Sequence, residues 1–114
     1  MQQRRVKATQ IATELISEER SHCVEGTELE TPEGVLDLIY VAPDAVHAVV
    51  VREYVYGSAA PVITQEEIES ARLAAAYLYG GLQGASEVVV DAVTVCWQHA
   101  GQYAFEWTKG VWRV

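Results

Sequence analysis

Ile63-Thr64-Gln65-Glu66-Glu67-Ile68-Glu69-Ser70-Ala71-Arg72-Leu73-Ala74-Ala75-Ala76-Tyr77-Leu78-Tyr79-Gly80-Gly81 is the stretch on which the fold turns. Thr64 reads as a helix N-cap, and Glu67 three residues on completes a capping box, each side chain meeting the other residue's backbone N–H. Ile63, just before the cap, is placed to pack on Ile68 as a hydrophobic staple. Ile68, Ala71, Ala75 and Leu78 continue an apolar stripe at helical spacing, and Gly80-Gly81 offers a left-handed stop. Such a helix, set between two β-branched runs, can return the chain to begin a strand parallel to the one it left.

Working outward, those two runs are Val46 to Tyr56 and Val88 to Trp97, both rich in valine and aromatic residues. Val35-Leu36-Asp37-Leu38-Ile39-Tyr40-Val41 is apolar on both faces apart from one carboxylate, the pattern of a strand covered on both sides. Ala42-Pro43-Asp44 and Thr31-Pro32-Glu33-Gly34 are turn signals, and Cys23 to Leu29 reads as a first strand. Ala8, Ile11, Ala12, Leu15 and Ile16 give residues 8–20 an amphipathic helical stripe. After a turn at Gln98–Gln102, Tyr103 to Thr108 closes the chain as a last strand. The order is α-β-β-β-α-β-β, an α/β class with a mixed sheet flanked by two helices. Residues 1–114 read as one domain, with 1–7 as a free tail, and no internal repeat.

Bulk composition narrows the function. The 114 residues are half hydrophobic and carry a net charge of −8, with a pI near 4.7. A nucleic-acid binder draws most of its affinity from basic side chains that displace counterions from phosphates. Here six arginines and two lysines are scattered, and Arg4, Arg5 and Lys7 form the one local cluster. The longest apolar runs, such as Val49–Val51 and Val88–Val90, fall far short of the roughly 20 residues of a membrane span. No apolar stretch follows the basic N-terminus, so a cytoplasmic location is expected. Cys23 and Cys96 are then expected to be reduced thiols. His22, His47 and His99 lack ligand spacing, which argues against zinc.

Several stretches together resemble the YraN-like family of bacterial proteins with a predicted endonuclease fold, within the restriction-endonuclease-like or PD-(D/E)xK group. They are Gly34-Val35-Leu36-Asp37-Leu38-Ile39, Val49-Val50-Val51-Arg52-Glu53, Ile63-Thr64 before Ala71-Arg72-Leu73, Val90-Asp91-Ala92-Val93, and Phe105-Glu106-Trp107-Thr108-Lys109. The likeness runs from about Thr9 to Trp112. It implies a nuclease core in which carboxylates on adjacent strands hold Mg²⁺, the ion that activates water and stabilises charge on the phosphate.

Position by position, Asp37 matches the family's metal-binding aspartate, whereas the glutamate two residues earlier is Val35 and the first-helix glutamate is Gln10. In the family's Val-Glu-Val-Lys strand, the alignment with fewest insertions puts Val51 on the glutamate and Glu53 on the lysine. A slide of two puts Glu53 on the glutamate and Val55 on the lysine. Both registers lose the lysine. Residues 51, 53 and 55 share a strand face, so Glu53 could approach Asp37 and the pair could hold a metal. The plainer reading of Asp37 is a buried acid met by a backbone amide, an arginine or a hydroxyl. Asp91 reads as structural, bonded near the end of the second helix, and Arg52-Glu53 as a solvated strand pair.

Trp97, Tyr103, Phe105, Trp107 and Trp112 gather in the last hairpin and are expected to cover one sheet face, or, at Trp107 and Trp112, to meet a partner or second copy. The expectation is therefore a non-catalytic nuclease-type fold without cofactor, acting through a protein partner or a homodimer. The alternatives are a divergent Mg²⁺-dependent endonuclease using Asp37 and Glu53, and nucleic-acid binding without cleavage through Arg4, Arg5 and Lys7.

Overall fold

Thr64 and Glu67 form the box read from their spacing. The Thr64 N–H donates to Glu67 Oε1 at 3.2 Å, and the Glu67 N–H donates to Thr64 Oγ1 at 3.1 Å. In the computed structural model, which describes residues 2–79 and 88–112 with side chains from Lys7 onward, this box opens helix α2, Gln65–Tyr79. The glycine stop expected at Gly80-Gly81 lies outside the described residues.

Helix α1 spans Gln2–Ser17, starting earlier and ending earlier than its apolar stripe suggested. No Gly or Pro interrupts residues 2–7, so nothing in the sequence stops the helix there. Beyond Ser17 the chain tightens, the Glu19 N–H reaching the Ile16 carbonyl at 3.2 Å and the His22 N–H the Glu19 carbonyl at 3.0 Å.

Five strands follow in one sheet: β1 Cys23–Thr31, β2 Gly34–Val41, β3 Val46–Val55, β4 Val88–Trp97 and β5 Tyr103–Trp112. Their spatial order equals their chain order, with β1, β2 and β3 antiparallel, β4 parallel to β3, and β5 antiparallel to β4. The parallel pair is possible because α2 makes the crossover. β5 continues four residues past Thr108, where the sequence reading ended it. Gly110, at φ 70°, accommodates an irregularity in the β4–β5 register between Val90 and Ala92, so the strand bends there and goes on.

The two helices cover opposite faces. Ala8, Ile11, Ala12 and Ile16 of α1 pack on Leu38, Tyr40, Val49, Val51, Val93, Val95 and Trp97. Ile68, Ala71, Ala74 and Ala75 of α2 pack on Leu36, Ile39, Val46, Ala48, Val50 and Val90. Alternating side chains along β3 thus serve two cores, each buried valine contributing about 1.5–3 kcal/mol over an exposed one. The tryptophans divide in the same way rather than covering one face. Trp97 and Trp107 join the α1 side and Trp112 the α2 side, because 107 and 112 have opposite parity on one strand. Both cysteines are free, Cys23 exposed and Cys96 buried. Among the described residues, no helix is long and apolar enough to cross a membrane.

Candidate functional site

The ladder between β2 and β3 runs from Val41↔Val46 to Leu38↔Val49. Just past its last pair, Asp37 replaces a backbone acceptor: the Val51 N–H donates to Asp37 Oδ2 at 2.9 Å. On the other side, β1 pairs with β2 at Thr27↔Leu38 and Leu29↔Leu36, so Glu28 stands across from Asp37. Glu28 has a left-handed backbone, φ 52°, uncommon for a residue with a side chain. Its Oε1 accepts from the Thr9 hydroxyl on α1 at 3.4 Å.

Arg52 completes the arrangement. Its Nη1 donates to Asp37 Oδ2 at 3.1 Å and to the Val51 carbonyl at 2.8 Å, while its Nη2 donates to Glu67 Oε2 on α2. One guanidinium thus ties β2 and β3 to the first turn of α2. Partial burial works to raise the Glu67 pKa, and the Thr64 N–H and Arg52 outweigh it, so the carboxyl sits below its ordinary value. Around this pair lies a groove of about 500 Å³ whose ionisable lining is Glu28, Asp37, Glu66, Glu67 and Arg52. Four carboxylates face one guanidinium.

The other residues singled out by sequence fall in different places. Val35 is 58 % exposed and lines the same groove. Gln10, exposed on α1, lines a neighbouring groove that shares Glu28 with the first. Val51 is buried under α1. Glu53 is half-buried and accepts from Trp97 Nε1 at 3.0 Å; it does not line the groove around Asp37. Arg52 and Glu53 are therefore not a solvated pair, since both turn to partners within the fold. Trp107 and Trp112 are half-buried, the former against Tyr40 and the latter beneath Arg72. Lys7 places its Nζ 5.7 Å above the Trp97 ring, and the side chains of Arg4 and Arg5 lie outside the described residues.

A second polar cluster sits where β3 and β4 begin. Asp91 is fully buried, and its partners come from the other strands rather than from the end of α2. The Tyr40 hydroxyl (β2), His47 Nδ1 (β3, 3.1 Å), Trp107 Nε1 (β5, 3.2 Å) and the Gly110 N–H (β5, 3.0 Å) all converge on its carboxylate. His47 Nε2 reaches Asp44 at 3.1 Å. His22 rests against Tyr40 with ring centroids 4.7 Å apart and bonds Glu19 through Nε2 at 2.9 Å.

Burial pulls the His47 pKa down, but its bonds to Asp91 and Asp44 outweigh that and hold the imidazole above its ordinary value. Burial likewise pushes Asp91 up, and the donors from His47, Tyr40 and Gly110 bring it below the usual carboxylate range. Tyr40, buried and donating to Asp91, is held far above an ordinary phenol. Sequence spacing did not join His22 to His47. The available signal was a histidine and an aspartate, each alone inside a valine run.

Among the described residues no group of three or more His, Cys, Asp or Glu is arranged to hold a metal ion. Compared with known proteins, the chain matches no family model and no curated protein.

Proposed function

We propose that this chain is a non-catalytic relative of the restriction-endonuclease-like nucleases, of the YraN-like kind, and that it works by protein contact, a second copy of itself being the partner. The observation that carries this reading is the state of Asp37. Its Oδ2 already accepts the Val51 amide and the Arg52 guanidinium. Mg²⁺ would supply a nuclease with activated water and charge neutralisation, yet the residues present do not fit it, because a guanidinium at hydrogen-bond distance already puts positive charge at that oxygen. Gln10, Val35 and Val51 add no carboxylate, and Glu53 is turned to Trp97. The surplus of acids in the groove also repels a phosphate backbone.

The two sheet edges support self-association through β5. β1 exposes Glu25, Glu28 and Glu30 and is irregular between Val24 and Gly26, so copies meeting there would set like charges together. β5 exposes Tyr103 and Phe105, 43 % and 50 % accessible, on its regular half. A second β5 related by a two-fold axis supplies a self-complementary antiparallel edge. Supercoiled plasmid, a four-way junction and single-stranded DNA, each with Mg²⁺ or Mn²⁺, are expected to stay intact; cutting that Asp37→Ala abolishes would overturn the non-catalytic reading. Sedimentation velocity is expected to show a concentration-dependent mass that Phe105→Ser lowers. A monomer at every concentration would remove the second copy as partner.

A further inference from the structure

We propose that the Arg52 guanidinium is a tethered counter-cation, holding between Asp37 and Glu67 the place a free divalent cation would otherwise take and closing the groove to one. The inference rests on reading this groove as a replaced metal site, and it says what did the replacing. Arg52 is held at three points, on Asp37, on the Val51 carbonyl and on Glu67. Asp37 and Glu67 come from separate elements and both bond this arginine.

Neither carboxylate depends on Arg52 for its position. Asp37 is fixed by the Val51 N–H at 2.9 Å, and Glu67 by the Thr64 N–H and hydroxyl, both at 3.2 Å. Removing the guanidinium therefore leaves two anchored acids facing one concavity, with Glu28 and Glu66 on its wall. Hard divalent cations bind through one or two carboxylates and keep several waters, and a groove of about 500 Å³ has room for that hydration. Carboxylates brought together attract a cation, so the charge Arg52 supplies is what the free ion must displace.

The test is a Mn²⁺ titration of the full chain, followed by the paramagnetic resonance signal of the free ion, with folding checked by circular dichroism. Arg52→Gln is expected to bind one Mn²⁺ at least about tenfold more tightly than the unsubstituted chain, because a site's affinity follows its net ligand charge. Asp37→Asn added to Arg52→Gln should return binding to the starting level. Equal binding with and without Arg52, or binding that survives Asp37→Asn, overturns the proposal. If Arg52→Gln is unfolded in metal-free buffer, millimolar Mn²⁺ must restore its spectrum; an unfolded chain that Mn²⁺ does not rescue also overturns it. These results are separable from the non-catalytic reading, which fails only if the unsubstituted chain cuts DNA.

Discussion

Asp37 and Asp91 are both carboxylates set in valine-rich strands, yet the fold uses them in opposite ways. Asp91 has no exposure and gathers donors from β2, β3 and β5, so a single side chain on β4 joins four strands. Asp37 lies where β2 and β3 stop pairing, is 7 % exposed, and lines an open groove together with its donor Arg52. Both have hydrogen-bond donors within the fold. What differs is access: the closed end turns its polar groups inward as structure, while the open end keeps acids beside water, where ligand chemistry can occur.

Removing each acid measures that difference. Asp91→Ala leaves the His47 ring Nδ1, the Tyr40 hydroxyl, an indole N–H and a backbone N–H without the carboxylate they share. Losing one partner of a buried ion pair costs about 3–5 kcal/mol, and urea unfolding should show a loss in that range. Asp37→Ala strands the Val51 N–H, but Arg52 keeps Glu67 and the Val51 carbonyl. The expected loss is about 1–3 kcal/mol. Equal losses would mean that the open end is as structural as the closed one.

The proton should separate the two ends as well. His47 has a folded pKa above its unfolded value of about 6.5. Its contribution is therefore complete below about 6.5 and is lost as pH rises through the folded value. Asp91 has a folded pKa below its unfolded value of about 3.9. Its contribution is complete above that and is lost as pH falls through the folded value. Unfolding free energy is thus expected to be highest between about pH 4 and 6.5 and to decline on the alkaline side. His47→Gln should cost about 1–3 kcal/mol at pH 6 and remove the part of that decline lying between about pH 6.5 and 9, below the range where Tyr40 titrates. A profile already flat from neutral to alkaline pH would show that the pair does not hold its proton as the geometry requires.

How much of this could be read along the chain follows from how far apart the interacting residues lie. The Thr64–Glu67 box spans three residues, and its hydrogen bonds match its spacing. The strands could be placed because alternation is local, and β5 was cut short at Thr108 because a glycine that bends an edge resembles one that ends it. Asp37 stood out as the one acid in its run. Its pairing with Arg52 did not, since that requires knowing where two strands diverge and where α2 begins, and Glu67 had already been assigned a capping role. The Asp91 cluster draws on β2, β3 and β5, as far as 51 residues away. A lone polar residue in a buried strand signals that partners exist without naming them.

The smallest expected effect tests whether the groove end is a unit of its own. Thr64→Ala removes the hydroxyl that receives the Glu67 N–H and loosens Glu67, Arg52's anchor on α2. N-cap truncations typically cost about 1 kcal/mol, and denaturant unfolding should show a loss of that size. Hydrogen exchange should quicken in the first turn of α2 and at Val51, whose amide rests on the Asp37 carboxylate that Arg52 also contacts. The amides of Tyr40, His47 and Gly110 should keep their protection, because the described hydrogen bonds of Glu67 run to Thr64 and Arg52 and those of Asp91 to Tyr40, His47, Trp107 and Gly110. If those amides exchange faster too, the two carboxylates belong to one cooperative unit, and the division between an open end and a closed end fails.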